Sequence, residues 1–426
     1  MQKNVLRALL VWSLRKNSLE ETRMNNSFIE SGNVAAALAV KLASAEVIAA
    51  YPITPQTPVT EKLSEMITLG EMDAEYIAVE SEHSALGVCI GAASAGARSF
   101  TATSSNGLLY MSEQLHWAAG ARLPMVMCVV NRGVGAPWSV WNDHQDAISQ
   151  RDAGWIQVFA KDHQEIVDMT IKAFRLAELV HIPVMVNYDG YYLSHTYMPF
   201  ELPNAEDVKA FLPDYEYKHT LNPERPESLN TVTLPDARVD INGVKRPGYM
   251  EVRKNLHDEM RLAMDVWEEI DADYHKSFGR GGNPICDPYC CDDAEFILVA
   301  MGSLANQFHD VVDQLRAEGY KVGVLALQMY RPFPTSHIAK ILQPAKSVLV
   351  FEKGLSYGNQ GALYADLKSA LYPYPARPTL HNFITGLGGR EIRTENLYQS
   401  VKDTCLNEET LKPEHIDTPQ WIGLQL

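Results

Sequence analysis

Between Gly32 and Asp189, short apolar runs alternate with stretches in which apolar residues recur three or four positions apart. The runs at 47–50, 76–79, 99–103, 125–130, 156–160 and 184–188 have strand length and are apolar on both faces, which predicts a mostly parallel sheet covered on both sides. Before the last run, Val167, Thr170, Ala173, Ala177 and Val180 fall on one side of a helix over 164–180. Such sheets bind ligands beyond the carboxyl ends of their strands, so the loops that follow the strands are where chemistry is expected.

The pattern changes after Asp189. Residues 199–247 are rich in Pro, Asn and charge and read as an extended arm over a surface. Val252, Leu256, Met260, Ala263, Trp267, Ile270 and Tyr274 then form one stripe of a helix that needs a covering surface. A second α/β unit begins near Asp293, with strands at 296–300, 322–327 and 347–351 and helices at 304–317 and 360–371. This divides the chain into an N-terminal extension (1–27), a first unit with its arm (28–250), a linker helix and loop (251–290) and a second unit (291–426).

The extension is basic, and its apolar run at 5–14 is too short to span a bilayer. It reads as a docking helix, a frayed extension or a misassigned start. No other stretch is long and apolar enough for a membrane helix, and a cytoplasmic protein is expected. A formal net charge of -16 argues against a nucleic-acid surface. Of the six cysteines, Cys286, Cys290 and Cys291 lie together in CDPYCC, a spacing that fits neither zinc pairs nor iron–sulfur runs. It reads as a loop of reduced thiols, and no metal site is expected on this chain.

Three loops of the first unit carry chemistry. In YPITPQTP (51–58), two prolines bracket Ile53 and Thr54, presenting a hydroxyl to a ligand or capping the next helix. In VESEHSALG (79–87), Glu82 opens an almost wholly apolar helix. Capping explains an acidic residue there, but a buried carboxylate costs several kcal/mol unless paired. In NRGVGAPWSVWNDHQDAISQRDAGW (131–155), Arg132 follows an apolar strand and precedes glycine-rich backbone. That suits recognition of a carboxylate, and equally a surface ion pair with an Asp. His144 in the same loop is equally a cap-region residue.

These segments, with ESEHSALGVCIGAASAGARSFTATSSNGL read at full length, resemble the alpha-subunit signatures of pyruvate:ferredoxin oxidoreductases and related 2-oxoacid:acceptor oxidoreductases. The likeness continues in MGSLANQFHDVV, LQMYRPFP, FEKGLSYGNQGALYADL and FITGLGGREI, covering about 32 to 390. The extension and CDPYCC depart from it. The resemblance implies a parallel-sheet α/β domain that binds the pyrimidine side of thiamine diphosphate, followed by a transketolase-C-like α/β domain. The cofactor would be shared with a beta subunit that binds diphosphate and Mg²⁺, for which no GDG…N pattern exists here. Gamma and ferredoxin-like delta subunits would carry 4Fe–4S clusters, with ferredoxin or an NAD-linked subunit as acceptor.

The implied reaction converts a 2-oxo acid, pyruvate by default, and coenzyme A to acyl-CoA, CO₂ and two electrons. By the resemblance, Glu82 bonds the aminopyrimidine ring nitrogen, favouring the imino tautomer that deprotonates the thiazolium carbon. Thr54 and Arg132 contact the substrate, Pro52 and Ile53 the cofactor, and Asn142, Asp143 and His144 form an active-site loop. A branched-chain or aromatic substrate such as 2-oxoisovalerate or phenylglyoxylate stays open. So do a transketolase or 2-oxoacid dehydrogenase component and a non-catalytic scaffold subunit, though a scaffold needs neither Glu82 nor Arg132 at strand ends.

Overall fold

The computed structural model describes residues 27–215, 234–240, 243–407 and 418–425. Nearly all of the N-terminal extension and most of the middle of the arm lie outside the described residues. The described chain starts with β1 (Ser27–Ser31), α1 (Gly32–Leu42), β2 (Val47–Ala50), α2 (Thr57–Thr68), β3 (Glu75–Ala78), α3 (Glu82–Ser94) and β4 (Ser99–Thr103). Next come α4 (Ser105–Tyr110), α5 (Ser112–Gly120), β5 (Val126–Asn131), α6 (Gln145–Ser149), β6 (Ile156–Phe159), α7 (His163–Val180) and β7 (Val184–Asp189). Each of the six strands expected here lies within one residue of its predicted bounds.

The arm is less extended than its composition suggests. β8 (Tyr197–Glu201) pairs antiparallel with β1, and α8 (Ala205–Phe211) follows. A short ribbon, β9 (Arg238–Val239) with β10 (Lys245–Arg246), leads to α9 (Tyr249–Phe278). The stripe on α9 finds its cover on α7, with Leu256, Ala263, Trp267, Ile270 and Tyr274 buried and Val252 and Met260 at the margin. Within this seam Lys172 and Asp271 form a buried ion pair of 2.6 Å, and the ammonium lies 4.9 Å from the Trp267 ring centroid. Removing one partner would strand a charge, at a cost of about 3–5 kcal/mol.

The second unit comprises β11 (Cys286–Tyr289), β12 (Phe296–Ala300), α10 (Ser303–Ala317), β13 (Val322–Leu327), β14 (Met329–Arg331), α11 (Thr335–Leu342) and β15 (Ser347–Glu352). It ends with α12 (Ala362–Leu371), β16 (Thr379–Ile384), α13 (Thr394–Asn407) and β17 (Gln420–Trp421). Its sheet runs β11-β13-β12-β15-β16-β17, parallel except for β11. The first sheet runs β14-β6-β7-β5-β4-β2-β3, parallel except for β14.

Three expectations need correction. CDPYCC is not a loop: Cys286–Tyr289 is an edge strand, so the second sheet starts before Asp293. Burial pushes the Cys286 and Cys291 thiols up to about 12, so they remain protonated. The first sheet is not built from the first unit alone, because β14 comes from LQMYRPFP of the second. The sheet is also not covered throughout: β3, at the opposite edge, is largely exposed, with Ile77 38% accessible. Among the described residues no helix is long and apolar enough to cross a membrane.

Candidate functional site

In the first sheet β2 lies between β3 and β4. The chain leaves β2 outward to β3 and returns on the other side to β4. This reversal opens a crevice at the carboxyl ends, where doubly wound sheets bind ligands. The loops after β2, β3, β4 and β5 surround it, and they carry Thr54, Glu82, Ser104 and Arg132.

Glu82 is the first residue of α3. Extended Ser81 caps that helix, accepting a bond from the Ser84 amide at 3.2 Å, so Glu82 is not the cap. Its side chain is buried (9% exposed) and has neither hydrogen-bond nor ion-pair partner among the described residues. Gly107 of α4 faces it. A Cβ there would stand 2.7 Å from Glu82 Cγ, 2.8 Å from Oε1 and 2.6 Å from Thr103 Oγ1. The hydroxyls of Thr103 and Ser104 are likewise buried without a partner. An unpaired carboxylate, the unpaired Thr103 hydroxyl and Gly107 therefore gather at one place.

Glu80 differs in kind. The strand ends at Ala78, so the two glutamates do not share a strand face as a period of two would suggest. Glu80 is exposed, and the Ser84 hydroxyl donates to it, which holds its carboxyl below the ordinary range.

Arg132 is 7% exposed. Its Nη1 donates to Thr54 O (2.8 Å) and its Nε to Ser139 O (3.0 Å), so backbone carbonyls rather than carboxylates hold the guanidinium. It has no ion pair among the described residues, which removes the surface-pair reading. Burial pulls its pKa down, with Tyr191 and Asp146 acting oppositely, but an arginine stays charged. Thr54 itself is exposed and does not cap α2, whose N-cap is Gln56. Pro52 is exposed, and Ile53 turns the chain into α2 by accepting from Gln56 N and Thr57 N.

Sequence reasoning missed Asp146. It is fully buried and accepts from the amides of Ser105 (2.9 Å), Arg132 (2.9 Å) and Ala147 (2.8 Å), and from the Asn131 amide group (3.0 Å). One carboxyl thus ties the loops after β4 and β5 together. Burial pushes it up to about 7 against the pull of Ser105, Asn131 and Arg132. The only signal in the sequence was an acidic residue heading an apolar helical turn.

The segment Asn142–His144 lies against the second unit. His144 occupies the N-cap position of α6 but makes no side-chain cap. Instead its Nε2 meets Asp189 Oδ1 at 2.6 Å. Asp143 accepts from Gly388 N (3.2 Å), and Asn142 O accepts from Gly389 N (2.7 Å). All three residues stand at the seam between the two units.

Comparison with known proteins gives concordant results. Residues 38–261 match the family model described as Pyruvate flavodoxin/ferredoxin oxidoreductase, thiamine diP-bdg. Residues 294–397 match Pyruvate:ferredoxin oxidoreductase core domain II. The chain is 44% identical over 400 residues to pyruvate synthase subunit PorA of Methanocaldococcus jannaschii, covering 93% of this chain and 97% of that one. It is 42% identical to ketoisovalerate oxidoreductase subunit VorA of Pyrococcus abyssi, covering 88% and 92%. A solved 2-oxoglutarate:ferredoxin oxidoreductase from Magnetococcus marinus superposes with a TM-score of 0.66 at 22% identity, over 89% of this chain and 65% of that one.

Proposed function

The chain belongs to the pyruvate flavodoxin/ferredoxin oxidoreductase family, and from that premise we propose that Glu82, Arg132 and Thr54 form its half of a shared active site. It is an alpha-type chain of a 2-oxoacid:ferredoxin oxidoreductase, with a thiamine-diphosphate-binding first domain. Pyruvate is the substrate we assign. The first domain, about 28–250, would take the pyrimidine half of the cofactor, and 291–426 would form the domain behind it.

The observation that carries this reading is the unpartnered Glu82 carboxylate. Burying it costs several kcal/mol unless a donor arrives from outside the chain. The residues present fit an aminopyrimidine ring: a carboxylate and an unpaired hydroxyl packed against a glycine whose place no larger residue could take without displacing them. Thiamine diphosphate, when bound, supplies the electron sink that decarboxylation of a 2-oxo acid requires. Glu82 would hold a proton at the pyrimidine ring nitrogen, with Pro52 and Ile53 beside the ring. Arg132, charged and free of any carboxylate, would take the carboxylate of the substrate, and the Thr54 hydroxyl its 2-oxo oxygen. Asp146 would keep the Arg132 backbone fixed. Beta, gamma and ferredoxin-like delta subunits would supply the diphosphate and Mg²⁺ site, the 4Fe–4S clusters and the route to ferredoxin, with coenzyme A as co-substrate.

The test is to assemble the complex and measure viologen-dye reduction with coenzyme A and pyruvate, 2-oxoisovalerate or phenylglyoxylate. Pyruvate is expected to give the highest kcat/KM. A preference for 2-oxoisovalerate would move the substrate assignment, and inactivity with every 2-oxo acid would sink the reading.

A further inference from the structure

The second sheet has its own reversal of strand order, between β12 and β15. In a doubly wound sheet that crevice ordinarily receives a ligand. Here it receives a side chain of the same protein. Asp189, the last residue of β7, is fully buried and reaches across the seam to both loops flanking the crevice. Its Oδ2 accepts from Lys353 Nζ (2.9 Å), after β15, and from the Ser303 amide (2.8 Å) and hydroxyl, after β12. Ser303 opens α10, so the carboxylate sits where a helix N-terminus attracts an anion. The other oxygen, Oδ1, holds His144 Nε2 at 2.6 Å.

His144 closes the loop that Arg132 opens. The Lys353 carbonyl accepts from the His144 amide at 2.7 Å, and two residues on, Asp146 accepts from the Arg132 amide. Between them, Ser139, Asp143 and Asn142 are tied to Gly388 and Gly389 of the second unit. The substrate loop is thus anchored to its own domain through Thr54, Ser105 and Asn106 and, at its far end, to the carboxyl edge of the second sheet.

We infer that Asp189 is a positioning residue for substrate binding: by filling the ligand crevice of the second domain with a carboxylate, it sets the loop that aims Arg132. The second domain then acts as a brace for the specificity loop. This rests on the reading of Arg132 as the substrate-carboxylate contact.

The experiment compares Asp189→Asn, Asp189→Asn with Lys353→Met, His144→Leu and Arg132→Leu in the assembled complex. KM for pyruvate, kcat, thiamine diphosphate affinity and thermal midpoint are read for each. Asp189→Asn should raise KM roughly 10-fold or more with kcat and cofactor affinity little changed, since misplacement of about 1 Å is costly. The double variant leaves no buried unpaired lysine and should recover the thermal midpoint while KM stays high. A purely structural role would recover both, and that outcome overturns the inference. If Asp189→Asn fails to assemble, His144→Leu carries the same expectation, and an unchanged KM there is equally fatal. A raised KM in Arg132→Leu with unchanged KM in the Asp189 and His144 variants removes this inference alone. An unchanged KM in Arg132→Leu removes the substrate reading, and this inference with it.

Discussion

Gly107 and Glu82 pack so closely that residue 107 has no room for a side chain: a Cβ there would lie 2.8 Å from Glu82 Oε1 and 2.7 Å from Cγ. Gly107→Ala must therefore push the carboxylate aside. A small shift in a proton-holding group acts on the chemical step, so kcat should fall roughly 10- to 100-fold with KM for the 2-oxo acid nearly unchanged. Steady-state kinetics of the assembled complex decide this, and an unchanged kcat would show that the carboxylate is not tuned by its cradle.

Glu82→Gln keeps the shape and removes the charge. The loss should fall on kcat, by about 10²–10⁴-fold, with exchange of the thiazolium proton slowed in parallel. Glu80→Gln is the control, because Glu80 is exposed and bonded to Ser84. Proton exchange followed by NMR separates them. Loss in the Glu80 variant with none in the Glu82 variant would shift the assignment by two residues.

Arg132→Leu should raise KM strongly and leave cofactor affinity almost unaltered. Losing a charge-assisted contact whose partner stays buried costs about 2–5 kcal/mol. Titration with pyruvate checks this. An unchanged KM would mean that the guanidinium serves only the Thr54 and Ser139 carbonyls it already bonds.

Stability should depend on pH in a specific sense. Burial pushes Asp146, Glu165 and Glu352 each up to about 7. Between the unfolded value near ~4 and that folded value, the folded chain keeps protons the unfolded chain has lost. Stability therefore falls as pH rises across this window and levels off above it. Asp189 acts oppositely. Burial raises its pKa, but Lys353 and His144 outweigh burial and hold it well below the carboxylate range. Its contribution is present above ~4 and is lost only as pH falls through the folded value. Urea midpoints should therefore be highest at about pH 4, fall up to about pH 7 and level off above it. A midpoint that climbs steadily to pH 8 would contradict the three raised carboxyls.

The chain purified alone should be inactive and colourless. Its six cysteines are free thiols, and no metal-binding group of His, Cys, Asp or Glu is gathered among the described residues. Iron analysis and a dye assay check this, and an active, iron-loaded single chain would refute the division of labour proposed above.

The sequence carried most of the fold because buried parallel strands are nearly pure apolar runs. β2, β12 and β13 have the bounds that pattern predicts. It failed where a local pattern cannot report a distant partner. Met329–Arg331 reads as a plain continuation of its own unit, yet pairs with β6. CDPYCC is short and proline-bearing, like a loop, and becomes an edge strand because β13 supplies a partner. At the site, Glu82 and Arg132 stood out because charge at the end of an apolar run demands a reason. Asp146 and Asp189 did not, because their reasons are amides and ammonium groups up to 164 residues away. His144 was noticed in its loop, but its bond to Asp189, 45 residues away, has no local signature.

The placement of β14 has a practical consequence for anyone dividing this protein. Met329 and Tyr330 are fully buried on the edge of a sheet whose other strands all end before residue 190. A gene cut near Gly282 would yield a first fragment whose outermost strand, Ile156–Phe159, is left bare on one side. A bare, wholly buried-type strand is a template for pairing with another chain. The fragment should precipitate or form strand-exchanged pairs, while the other piece would carry a loose strand, Met329–Arg331, with nothing to pair with. Three residues of the second unit complete the first sheet, so the protein should express whole more readily than in halves.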